Sequence, residues 1–79
     1  MHIFENYMRL VVWEEATGQL REVKSTDGVC LAKIGPVDVV LPEEVGENIK
    51  DLIGHRIGVL RTDNGYRLRI VSAVLNNSI

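Results

Sequence analysis

The stretch STDGVCLAKIGPVDVVL, residues 25–41, decides how this chain folds. It sets two turn signals, Asp27-Gly28 and Gly35-Pro36, on either side of a short aliphatic run. If each pair is a two-residue hairpin loop, the pairing across it is fixed, because side chains alternate strictly between the faces of a strand. Ala32 then lies between Val23 and Val39, Cys30 between Ser25 and Leu41, and Ile34 between Arg21 and Val37. Those residues make one mostly apolar face.

Working outward, Thr17-Gly18 lies about ten residues upstream of Asp27-Gly28, the spacing of a β-meander. Taken as a third hairpin loop, it adds a strand that places Val12 beside Val23, Leu10 beside Ser25 and Glu14 beside Arg21. All three turns then agree on the same apolar face. The opposite face carries Trp13, Glu22, Lys33 and Asp38 in one row. It also carries Val11, Leu31 and Val40, aligned through Lys24, with Trp13 next to Val11. So many apolar side chains do not suit a free surface. Either the rest of the chain covers them, or they form a protein interface with Trp13 as its anchor.

Downstream of Leu41 the period changes. PEEVGENIKDLIG, residues 42–54, reads as a short helix with Pro42 at its first position, acidic Glu43 and Glu44 in its first turn, and Gly54 as its stop. Val45, Ile49, Leu52 and Ile53 fall on one stripe, and Gly46 predicts a loose first turn. Strand period then returns in HRIGVLR and YRLRIVSAV, which flank Asn64-Gly65, a strong hairpin signal. Pairing about that loop sets Thr62 opposite Arg67 and Leu60 opposite Arg69. Arg56, Thr62, Arg67 and Arg69 then share one face, and Arg61 falls on the apolar side.

A four-stranded meander, a short helix and a final hairpin predict a mainly β fold, a small partly open β-barrel with the helix plugging one end. The order resembles that of the OB-fold, whose helix also precedes a final hairpin, and more loosely that of SH3-like barrels. The likeness is one of architecture, without a sequence motif of either.

The 79 residues fit one domain, residues 1–79. A hydrophobic content of 46% and a mean hydropathy of +0.05 are globular values. The formal net charge of −2 argues against nucleic-acid binding by the whole surface and confines any such role to a local patch. A lone cysteine, no signal-peptide pattern and no apolar run of the ~18 residues needed to span a bilayer predict a cytoplasmic protein.

Few groups could converge for catalysis. His2 and His55 are the only histidines and Cys30 the only thiol, and no metal-ligand or phosphate-loop spacing occurs. A Cys30/His55 nucleophile pair is set against a Cys30 that faces the core, where thiols are usually inert. Adjacent Glu43 and Glu44 point about 100° apart on a helix and suit its dipole better than a carboxylate pair. Gly54 and Gly58 mark a helix stop and a bulge. The expectation is therefore a non-enzymatic chain with no metal, cofactor or small-molecule substrate. Its function would be binding or assembly, with a protein partner or a second copy docking at Val11, Trp13, Leu31 and Val40. The alternative is single-stranded nucleic acid held by Arg56, Thr62, Arg67 and Arg69, with Tyr66 as a stacking platform.

Overall fold

Asp27 and Gly28 both take positive φ, 50° and 81°, as a type I′ turn requires, so the hairpin at the centre of residues 25–41 forms as expected. Gly35, at φ 59°, supplies the positive φ of the next turn and Pro36 follows it. The computed structural model describes residues 7–71. In chain order its elements are β1 (Met8–Arg9), β2 (Glu15–Thr26), β3 (Val29–Ile34), β4 (Val37–Pro42), α1 (Glu43–Ile49), a 3-10 turn (Lys50–Leu52), β5 (Arg56–Thr62) and β6 (Gly65–Ile70). The expected strand beyond Val71 and the first six residues of the chain lie outside the described residues. The strands run in the order β1-β4-β3-β2-β5-β6 and curl into a half-barrel, a mainly β fold with one short helix.

The register across the central turns is the one read from the sequence for Val23↔Ala32↔Val39, Ser25↔Cys30↔Leu41 and Ile34↔Val37, but Ile34 faces Leu20 on β2 and not the expected Arg21. The third turn is not. Thr17 and Gly18 lie inside β2, so the expected pairs Val12–Val23, Leu10–Ser25 and Glu14–Arg21 do not exist. Gly18 answers to packing instead. A Cβ there would come within 2.8 Å of the Gly35 Cα, and the Gly35 N–H donates to the Gln19 carbonyl at 2.8 Å. The turn after β3 thus sits directly on β2, which only a glycine allows.

β2 is the corner of the barrel. Glu15–Gln19 pair with β5 and Leu20–Thr26 with β3, and the ladder shifts between Leu20 and Glu22, leaving Arg21 as the extra residue. Such a bulge bends and twists a strand. The chain before β2 makes a tight turn at Val11–Glu14, in which the Glu14 N–H donates to the Val11 carbonyl and Trp13 takes φ 71°. Ahead of that turn, β1 lies parallel to β4, with Met8↔Val39 and Arg9↔Val40.

The core lies between the curled sheet and α1, with Leu10, Leu20, Ile34, Leu41, Ile49 and Ile57 among its buried side chains. Pro42 caps α1 rather than opening it. Gly46 does not loosen the first turn. It is buried, and a Cβ on it would lie 2.7 Å from the Cys30 Sγ, so its bare backbone lets α1 settle on β3. Of the expected stripe, Ile49 is fully buried and Val45 and Leu52 pack against the core, but Ile53 is 51% exposed. The chain tightens into the 3-10 turn after Ile49, and the tighter winding swings Ile53 off the stripe. Gly54 stops it, at φ 99°.

In the last hairpin the loop is Asp63-Asn64, with Thr62 opposite Gly65 and Leu60 opposite Arg67, two residues from the expected register. The Thr62 hydroxyl accepts the Asn64 N–H at 3.3 Å and donates to Asn64 Oδ1 at 3.1 Å. That local bonding holds Asp63 and Asn64 at negative φ, and the type I′ turn of an Asn-Gly loop does not form. A shift of two leaves every side chain on its expected face.

Candidate interaction surface

The outer face of β5 and β6 is the surface the arginines decorate. Gly58 lies in the unbroken β5 ladder opposite Arg69, so it is not the expected bulge. Its missing side chain makes room for an ion pair that crosses it. Arg69 donates from Nε to Glu15 Oε2 at 2.8 Å and from Nη2 to Glu15 Oε1 at 3.1 Å, while a Cβ on Gly58 would stand 2.5 Å from Glu15 Oε2. The bond from Arg69 holds the Glu15 carboxyl below the usual glutamate range, and the same bond raises the pKa of Arg69. One of the three arginines expected to grip phosphate is thereby neutralised within the chain.

Arg67 is different. Among the described residues it enters no ion pair, and it shares a recess with Trp13, Leu60, Thr62, Asp63 and Asn64. Trp13 reaches this place because its N–H donates to the Arg61 carbonyl and the Arg61 N–H donates to the Glu14 carbonyl, stitching the turn to β5. No turn signal in the sequence foretold it, since φ 71° is a conformation proper to glycine or asparagine. Tyr66 is not with Arg67 and Arg69. It lies on the other face opposite Arg61, packs against the core and lines a recess with Arg9, Val40 and Pro42. Arg61 is structural, as its face predicts: its Nη1 donates to the Leu10 carbonyl at 2.7 Å.

The expected interface row is broken in the same way. Leu31 and Val40 face each other in the ladder but are buried, at 8% and 4% exposure. Their row continues through Val40 to Arg9, not to Val11. Val11 and Trp13 are 63% and 62% exposed and belong to the turn before β2. The four residues do not form one surface.

What remains open is β6. Val59 and Ile57 are fully buried, yet their ladder partners Leu68 and Ile70 are 38% and 54% exposed. Among the described residues, the core face of the sheet therefore runs on, uncovered, over the last strand. The strand's free edge can be read from one bond. The Val71 N–H donates to the Arg56 carbonyl, and hydrogen-bonded pairs recur every second residue, so Gly65, Arg67 and Arg69 spend their backbone groups on β5. The N–H and C=O of Tyr66, Leu68 and Ile70 point away from it, and among the described residues β6 is the last strand.

Residues 56–70 hold four arginines and one aspartate, a net +3 on a chain whose formal charge is −2, which leaves −5 elsewhere. Among the described residues no three His, Cys, Asp or Glu side chains are grouped to hold a metal ion, and no helix is long and apolar enough to cross a membrane. Cys30 is buried behind Gly46, and burial raises its thiol pKa, opposite to what a nucleophile needs. No family model, curated protein or solved structure matches this chain.

Proposed function

We propose that this chain is a non-catalytic binding module that takes up an extended segment of a protein partner along β6. The observation that carries the reading is that, among the described residues, an unspent backbone edge coincides with an uncovered apolar face at Leu68 and Ile70. A strand added there would satisfy the outward groups of Tyr66, Leu68 and Ile70 and continue the core face over its own apolar residues. Leu68→Pro tests it. Proline removes the outward N–H and no bond to β5, so the fold should persist while peptide capture is lost. Should Leu68→Pro unfold the domain, Ile70→Glu replaces it, because Ile70 is more than half exposed. Binding that survives either variant in a folded protein refutes the reading.

Single-stranded nucleic acid is the second reading, favoured by the indole of Trp13 beside Arg67 in one recess. Trp13 replaces Tyr66 as the stacking platform, with Thr62 and Arg67 lining its recess; Arg56 lies at the far end of β5, opposite Gln19, and Arg69 contributes less because Glu15 holds it. Such binding would weaken with salt at about −0.7 in log–log slope per phosphate neutralised. Trp13→Ala with Arg67→Glu should abolish it and leave capture of an extended peptide on Leu68 and Ile70.

A further inference from the structure

The edge also selects by charge, an inference that rests on β6 being the edge that captures a partner. Along β6 the side chains alternate: Tyr66, Leu68 and Ile70 belong to the core face, Arg67 and Arg69 to the outer face. A strand laid against β6 would continue both rows. Its residues beside Leu68 and Ile70 would meet apolar side chains, and the residues between them would meet Arg67 and Arg69. Arg67 has no ionic partner among the described residues, and the hairpin as a whole carries +3. Opposite charges facing each other across a ladder stabilise the pair, and like charges destabilise it. We infer that the partner segment is an extended strand in which apolar residues alternate with glutamate or aspartate.

The same arithmetic of register turns away a second copy. The outward residues of β6 are the even-numbered ones, so a two-fold pairing of β6 with β6 must join even to even and odd to odd. Every antiparallel register that engages two or more of Tyr66, Leu68 and Ile70 sets Arg67 opposite Arg67, Arg67 opposite Arg69, or Arg69 opposite Arg69. The arginines therefore guard the edge against its own kind while inviting an acidic strand.

The experiment uses three synthetic nine-residue peptides that alternate valine with glutamate, with lysine, or with threonine, titrated into the full chain by calorimetry. The glutamate peptide should bind, and the lysine peptide about three- to tenfold more weakly, chiefly because Arg67 changes from favourable to unfavourable pairing while Arg69, held by Glu15, adds less. Arg67→Glu, an exposed position, should keep the circular dichroism of the fold and narrow or reverse that preference. Equal binding of all three peptides would overturn the charge selection while leaving β6 as a docking edge. Failure of all three to bind would overturn the docking edge itself. Light scattering that shows a dimer of the chain, dissociated by Leu68→Pro, would make a second copy the occupant and overturn the inference.

Discussion

Gly18→Ala tests the feature that most shapes this fold, the seating of the turn after β3 on β2. An ideal Cβ at residue 18 lies 2.8 Å from the Gly35 Cα and 2.9 Å from its N, well inside van der Waals contact. Both obstacles are backbone atoms of a tight turn, so no side chain can swing aside. Overpacking typically costs 1–3 kcal/mol, and a backbone obstacle places this substitution at about 3 kcal/mol. For a chain of this size that corresponds to a fall in melting temperature of roughly 12–24 °C. Urea unfolding followed by circular dichroism measures it, with an unchanged m-value showing that the folded state keeps its extent. Gly28→Ala is the control. Nothing lies within 4 Å of a Cβ there, so its cost is only that of φ 81°, about 1–2 kcal/mol. If Gly18→Ala cost less than Gly28→Ala, residue 18 would lie in an open loop and the continuous β2 would be wrong.

Other substitutions probe separate joints. Gly46→Ala should destabilise the protein in the same unfolding assay, although alanine is favoured by about 1 kcal/mol in a helix interior, because the new methyl meets Cys30 at 2.7 Å. Cys30 should react with a thiol reagent far more slowly in native protein than in denaturant; rapid native labelling would put β3 the other way up. The Glu15–Arg69 pair should appear in the acid limb of stability. Its carboxyl pKa is lowered in the folded state, so its contribution is present above the unfolded glutamate pKa and lost as pH falls through the folded one. Glu15→Gln should therefore flatten that part of the stability–pH profile, and an unaltered profile would mean the pair does not form in solution.

The central hairpins were legible because Asp27-Gly28 and Gly35-Pro36 each place glycine where a two-residue turn needs positive φ, and the alternation around them then fixes the faces. Thr17-Gly18 carried the same signal for another reason. Glycine serves a turn and a close backbone contact equally well, and one sequence cannot tell which. The final hairpin kept its faces but lost its register by two, because the Thr62 hydroxyl competes for the turn's hydrogen bonds. The arginine face was legible from alternation alone. Its internal neutralisation was not, since Glu15 is 54 residues from Arg69 and comes to it only through the pairing of β2 with β5. Tyr66 was placed with the arginines by its position at the loop, whereas the pleat sends it to the core side. Trp13 is exposed on a turn rather than on the outer face of a meander strand, because its backbone takes a conformation that tryptophan does not advertise.

Amide hydrogen exchange, read residue by residue along β6 with and without the valine–glutamate peptide, tests the docking edge most directly. In the free protein the N–H groups of Arg67, Arg69 and Val71 should be protected by β5, and those of Tyr66, Leu68 and Ile70 should exchange freely. With peptide bound, protection should appear at Tyr66, Leu68 and Ile70. Protection of those three amides in the free monomer, or binding that leaves them exchanging as before, would contradict a docking edge on β6.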